Sequence, residues 1–291
     1  MGSLNQSHRY CQALARDRAK SFFFSSYTLP RPKRHAAYAI YAFCREADDL
    51  VDEAEGDARH GLDESLGALS EELNAIWKGE GKAAYAPALG RAVEEFGLSK
   101  KPFEELLTGV GLDVESSVRI QNWDELYHYC YHVASVVGLM MAPVLGLKDP
   151  AGEEQAIALG LGMQLTNILR DIREDYDRNR IYLPATEMEA HGVSEDILRK
   201  REVTPEFERL LQFQIERARS YYESSEKGIA LLANDGSRQT AWMMRLIYSD
   251  ILNRIESRDY DVFSSRVFTP LPAKLRLAFM ARRRSRGPVS R

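Results

Sequence analysis

The sequence predicts an all-α fold, a bundle of helices with ligand groups in a cavity between them. Three observations predict it. Apolar residues recur at spacings of three and four along most of the chain, and strand-like alternation is scarce. Chain breakers fall between the periodic runs, at 79–82, 97–99, 146–152 and 234–236. No internal repeat and no long linker is present, so a single domain over 1–291 is expected.

The elements follow in order. Ser21-Phe22-Phe23-Phe24-Ser25-Ser26 reads as a first helix. Pro32 sits where a helix can begin, and 33–53 carries Ala37, Ile40, Tyr41, Cys44, Ala47 and Val51 at mixed three and four spacings. Further helices are expected over 62–77, 85–96, 101–117, 123–145, 153–176, 205–233 and 239–258. The run 133–147 is apolar on most faces, as in a helix at the middle of a bundle. Its small residues Ala134, Ser135 and Gly138 either admit a neighbouring helix or leave room for a ligand.

The 291 residues, 44% apolar and 28% charged, describe an ordinary globular chain. A net charge of -4 gives no global case for nucleic-acid binding. Positive charge gathers at the end, in Arg282, Arg283, Arg284, Arg286 and Arg291. Residues 282–291 are therefore expected to form a basic flexible tail, solvated or weakly drawn to anionic lipid. Cys11, Cys44 and Cys130 show neither pairing nor metal-ligand spacing, which points to a reduced, cytoplasmic compartment. No signal peptide is visible, and 133–147 is too short to span a bilayer and contains Gly138 and Pro143. Any membrane contact is expected to be peripheral; nothing in the sequence specifies an oligomeric state.

Two acidic clusters carry the chemistry. One reads Arg45-Glu46-Ala47-Asp48-Asp49-Leu50-Val51-Asp52-Glu53; the other runs from Gln164 through Asn167, Arg170, Asp171 and Arg173 to Asp175. Side chains at i and i+4 share a helix face, about 6 Å apart along the axis. Asp48 and Asp52 thus point one way, as do Asn167, Asp171 and Asp175. Such carboxylates on mostly apolar helices need partners. Arg45, Arg170 and Arg173 offer a purely structural ion-pair network. Facing stripes would instead make an oxygen-rich site for Mg²⁺, with Mn²⁺ as a substitute. Lys20, Arg45, Arg170, Arg178, Arg180 and Arg266 are candidates for phosphate oxygens, and a site with both kinds of group suits diphosphate.

Other constellations are weaker. His128 and His132 have metal-ligand spacing, with Asp124 one turn earlier, but lack the Glu of H-E-x-x-H chemistry. Gly160-x-Gly162 and Gly109-x-Gly111 each lack the third glycine of a dinucleotide fingerprint. Core packing is the default for Tyr41, Tyr129 and Tyr248, which fall in apolar helices.

With both clusters placed, the chain resembles the squalene/phytoene synthase family of head-to-head prenyl synthases. The match begins at Lys20-Ser21-Phe22 and continues through Tyr38-Ala39-Ile40-Tyr41-Ala42-Phe43-Cys44-Arg45 into Asp48-Asp49-Leu50-Val51-Asp52. It resumes at Tyr129-Cys130-Tyr131 and is strongest from Gln164 to Asp175, followed by Arg180-Ile181-Tyr182-Leu183-Pro184. The resemblance implies an isoprenoid-synthase-type bundle around a deep cavity. It implies that Asp48 and Asp52 bind Mg²⁺ from one wall and Asn167, Asp171 and Asp175 from the other. Arg45, Lys20, Ser21, Tyr248 and Arg266 would hold diphosphate oxygens, while Tyr41, Tyr129 and Gln164 would line the reaction centre.

The implied reaction joins two prenyl diphosphates 1-to-1′ through a cyclopropylcarbinyl diphosphate. Proton loss then gives a triene (phytoene or dehydrosqualene); hydride from NADPH gives squalene. The run Asp259-Tyr260-Asp261-Val262-Phe263 is similar to one common in bacterial phytoene synthases, and the small Ser26 suits a longer cavity. Both favour two geranylgeranyl (C20) units; the large Tyr38 speaks against. Two farnesyl (C15) units, giving squalene, dehydrosqualene or presqualene diphosphate, are the alternative. The missing fingerprint argues mildly against NADPH, although reductive members of the family also lack it. A single-substrate terpene cyclase would leave the R-I-Y-L-P run unexplained, and two intact motifs argue against an inactive scaffold.

Overall fold

The computed structural model describes residues 3–53, 59–112 and 117–286, with backbone alone at 51–53, 59, 60, 62, 63 and 112. Three of its helices begin where a side chain satisfies free backbone N–H groups. Ser3 and Gln6 form a capping box at the start of α1 (Leu4–Arg18). Asn122 accepts from the Glu125 N–H at 3.0 Å to open α7 (Trp123–Cys130). Thr204 does the same for α12 (Pro205–Ile229), accepting from the Phe207 N–H at 3.2 Å with Pro205 at the first position.

Between these lie α2 (Lys20–Ser26), α3 (Arg31–Glu53), α4 (Arg59–Trp77), α5 (Ala86–Phe96) and α6 (Lys101–Leu112). After α7 come α8 (Val136–Val144), α9 (Glu153–Asp177), α10 (Ala185–Ala190) and α11 (Glu195–Lys200). The chain closes with α13 (Ser237–Glu256) and α14 (Leu271–Ser285). The fold is all-α, as the periodicity predicts. Among the described residues the strands are two short ones, β1 (Val118–Arg119) and β2 (Arg180–Ile181), paired in parallel.

Two apolar cores flank the middle of the bundle. One joins α9 to α7, α12 and α13 through Leu161, Leu165, Phe207, Leu211 and Ile251. The other joins α3 to α1, α5, α6 and α8 through Cys11, Ala39, Phe43, Leu89, Phe103 and Met140. In the first core the fully buried Tyr222 hydroxyl lies 2.8 Å from Thr166 Oγ1, a polar clasp between α12 and α9. The small residues of 134–138 admit a neighbouring helix. A Cβ on Gly160 would stand 2.6 Å from Ser135 Cα, and one on Gly138 2.6 Å from the Ala156 carbonyl oxygen.

Three expectations need correction. The helix expected over 123–145 is α7 and α8 joined by a π-turn, Tyr131–Ser135. The tail expected from 282 is helical through Ser285, with Ala281 and Ser285 buried. Arg284 there stacks over the Trp242 ring at 4.8 Å and reaches Glu226 at 3.3 Å, so it is anchored rather than free. Positions 287–291, Arg291 included, and 113–116 of the run expected over 101–117 lie outside the described residues. Finally, the helix expected first, at 21–26, is preceded by α1, docked through Ser7, Cys11 and Ala15. Cys11, Cys44 and Cys130 are buried free thiols. No helix of the described residues is long and apolar enough to cross a membrane.

Candidate active site

α3 and α9 each bury an apolar face in one of the two cores, which turns their polar stripes towards each other. The cleft between them has a volume of about 290 Å³. From α3 it receives Arg45 and Asp48; from α9, Gln164, Asn167, Arg170, Asp171 and Asp175. Tyr129 closes one side, with apolar cover from Val110, Val133 and Ile168. Asp52 belongs to α3 by its backbone, and its side chain lies outside the described residues.

The cations are already engaged. Arg45 pairs with Asp49, one turn along α3. Asp171 is held twice. Arg170 grips it with two nitrogens, Nε at 2.8 Å, and Arg266 grips it with Nε at 3.0 Å and Nη2 at 2.9 Å. Arg266 comes from outside both walls, and the Asp259–Phe263 run explains how. Asp259 and Tyr260 take left-handed φ values of 50° and 61°. Asp261 Oδ1 then accepts from the Phe263 and Ser264 N–H groups, while Arg173 donates to the Phe263 carbonyl at 2.9 Å. Val262 and Phe263 are buried, so the turn is anchored and delivers Arg266 to the cleft. Arg173 thus fastens this turn instead of flanking Asp171.

Burial is the main force on Asp175: it lifts the carboxyl to about 7, reinforced by the charge of Asp171 and opposed by Arg180 and Arg178. The Tyr41 phenol is pushed up to about 12, again chiefly by burial; Arg45, Asp48 and Tyr248 are the charged and polar neighbours that modulate it. Tyr248 is raised by burial too, with Arg170, Asp171 and Arg266 as its neighbours. Tyr248 thus lies next to Tyr41 on one side and to the Arg170–Asp171–Arg266 cluster on the other.

The donors fit a hard divalent cation. Asn167 Nδ2 donates to Gln164 Oε1 at 3.3 Å, while the buried Asn167 Oδ1 has no hydrogen-bond partner. An orphaned buried oxygen beside two carboxylates is what an oxygen-seeking ion satisfies. No three His, Cys, Asp or Glu side chains among the described residues are gathered on one point. Asp171 is turned onto Arg170 and Arg266.

Sequence reasoning overlooked Tyr182. The β1–β2 pair sets it beside Tyr129, ring on ring at 4.8 Å and 19°. Its signal was its place in the Arg180–Pro184 run. Lys20 and Ser21 start α2, outside the lining of this cleft. Lys20 sits near the half-buried Lys274, whose ammonium is lowered chiefly by burial. Phe22 next to them meets Tyr41 at 5.7 Å and Tyr38 at 6.0 Å. Ser26 is fully buried beneath Tyr38, its hydroxyl 2.7 Å from the phenol oxygen and donating to the Phe23 carbonyl.

The squalene/phytoene synthase family model matches residues 15–273. The chain belongs to this family. It is 37% identical to the 15-cis-phytoene synthase of Synechocystis over 94% of this chain and 83% of that protein. It is likewise 37% identical to the chloroplastic phytoene synthase of Daucus carota, over 94% of this chain and 69% of that protein. In three dimensions it is similar to a dehydrosqualene synthase solved with a ligand, at a TM-score of 0.89 and 31% identity, with 96% of each chain covered. A squalene synthase from Alicyclobacillus acidocaldarius superposes at a TM-score of 0.79 and 27% identity, over 89% of this chain and 96% of that one. The matched span contains both polar stripes and the turn that carries Arg266.

Proposed function

We propose that the protein joins two geranylgeranyl diphosphates head to head, 1-to-1′, into phytoene through prephytoene diphosphate. The observation that carries this reading is the α3–α9 cleft, where arginines and oxygen donors meet over an apolar, aromatic floor. Similarity to phytoene synthases over 94% of this chain favours the C20 substrate over the C15 one.

Asp48, Asn167, Asp171 and Asp175, with Asp52 as the motif's fifth member, are the residues to hold Mg²⁺. Bound there, Mg²⁺ neutralises charge developing on the diphosphate that leaves. Arg170 and Arg266 exchange the Asp171 carboxylate for diphosphate oxygens, which releases Asp171 towards the ion site. Arg45 supplies a further cation from the opposite wall. The C1–O bond of one substrate breaks, its electron pair leaving with diphosphate. The C2–C3 alkene of the second substrate attacks C1; ring closure with proton loss makes the cyclopropane. The second C–O bond then breaks in the same way, the ring rearranges, and loss of a second proton leaves the conjugated triene. Tyr41, Tyr129 and Tyr182 offer ring faces to the cationic chain, and Val110, Val133 and Ile168 exclude water.

The close superposition on a dehydrosqualene synthase favours a second reading, in which two farnesyl diphosphates give a C30 product. Incubation with Mg²⁺ and either substrate, with and without NADPH, separates the two by hydrocarbon mass. A C40 triene from the C20 substrate, indifferent to NADPH, is expected. A C30 hydrocarbon as main product overturns the C20 assignment, and NADPH dependence then distinguishes squalene from dehydrosqualene.

A further inference from the structure

α14 covers α13 with one face, through Leu277 and Ala281. Its other face is apolar and uncovered. Leu271, Leu275 and Phe279 stand at i, i+4 and i+8, one stripe along the helix, and are 61%, 57% and 64% exposed. Phe268, in the preceding loop, is 64% exposed and Met280 38%. Half of the ten large exposed apolar side chains among the described residues thus lie within 268–280. Scattered exposed apolar residues need no explanation, but a stripe of this kind does.

The charge around the stripe is one-sided. Residues 262–291 hold eight Arg and Lys and no Asp or Glu, which leaves -12 on the rest of a chain whose net charge is -4. Arg282 and Arg286 continue the stripe at its C-terminal end, three and seven positions beyond Phe279, and both are exposed. Arg276 and Arg283 flank it. Arg276 is 69% exposed and 3.9 Å from its nearest carboxylate partner, Asp250. Apolar side chains facing out, with cations at the flank and end, are the pattern of a helix that lies in a membrane interface. A second copy pairing through the same face is a poorer occupant, because 262–291 holds no carboxylate to meet its arginines.

We propose that the outward face of α14, with Phe268, docks on an anionic lipid bilayer, its apolar stripe entering the headgroup boundary and its arginines meeting lipid phosphates. The proposal does not depend on the substrate's chain length. The same segment carries Arg266 to the cleft, so the surface stands beside the diphosphate end of the site.

Co-sedimentation of the full chain with vesicles tests it, using phosphatidylcholine alone and an equal mixture with phosphatidylglycerol. The wild type is expected to bind the mixed vesicles, more weakly as salt rises, and the neutral vesicles poorly. Leu275→Glu with Phe279→Glu should weaken binding to mixed vesicles at least about tenfold. Arg282→Gln, Arg283→Gln and Arg286→Gln together should weaken it about a hundredfold, because each surface arginine contributes about a factor of five. Turnover of detergent-dispersed substrate should stay unchanged in both, which shows that the fold survives. Wild-type vesicle binding by the first variant overturns the proposal. So does a dimer in light scattering that the first variant splits, since the stripe would then be covered by a second copy.

Discussion

At the scale of single residues, the cleft is a competition for two kinds of charge. Arg266 has a 53% exposed side chain, yet it is drawn onto a carboxylate that is only 14% exposed. Diphosphate must displace Asp171 from it. Arg266→Gln is expected to raise KM for the prenyl diphosphate about tenfold or more, with the fold unaffected, because a two-pronged charged contact to the phosphates is lost. A KM equal to wild type would show that Arg266 serves Asp171 alone. Asp175 gives a signed pH dependence. Its carboxyl titrates near 7 in the folded protein and near 4 in the unfolded chain, so the native state binds the proton more tightly. This group's stabilising contribution is complete below about pH 4 and is lost as pH rises through about 7. Mg²⁺ wants the ionised form, so it should raise the melting temperature more at about pH 8 than at about pH 6. Equal increments at the two pH values would remove Asp175 from the ion site.

At the scale of elements, close approach governs which helices can meet. α9 reaches the π-turn only because Gly160 has no side chain, a methyl there being 2.6 Å from Ser135 Cα. Gly160→Ala is expected to cost about 1–3 kcal/mol in denaturant unfolding, since the contact is backbone and cannot swing aside. An unchanged midpoint would mean that the two segments are not packed so tightly. The sequence was legible where a long apolar face met a long polar one: 153–176 is α9, observed as Glu153–Asp177, and 33–53 is α3, observed as Arg31–Glu53. It was poorly legible where small residues do the packing. α1 docks on Ser7, Cys11 and Ala15, and the end of α14 on Ala281 and Ser285, so neither shows a strong apolar period. The arginines of α14 then read as a tail. The π-turn and the β1–β2 pair have no local signature, because each depends on a partner far along the chain.

At the scale of the whole molecule, the site is assembled from distant pieces. The carboxylates, amides and arginines of α3 and α9 were legible, because ionic residues inside apolar helices stand out. Their facing across one cleft was implied by the resemblance, but the pairing of Arg266 with Asp171 was not legible, since it depends on a turn whose own signal was a loop motif. Tyr182 was missed for the same reason: only the strand pair puts it on Tyr129. Chain length is likewise set by packing. Ser26 lies under Tyr38, so Ser26→Phe must displace that phenol, and the expected outcome is a shift of substrate preference from C20 towards C15. An unchanged C20/C15 ratio in competition would place the end of the chain cavity elsewhere. The most direct test of the α3–α9 cleft as the ionising centre is diphosphate release from geranylgeranyl diphosphate as Mg²⁺ is titrated, for the wild type and Asp171→Asn. The wild type should release diphosphate only with Mg²⁺, two for each C40 hydrocarbon formed, and the folded variant should release almost none. Release at wild-type rates from Asp171→Asn would contradict the assignment.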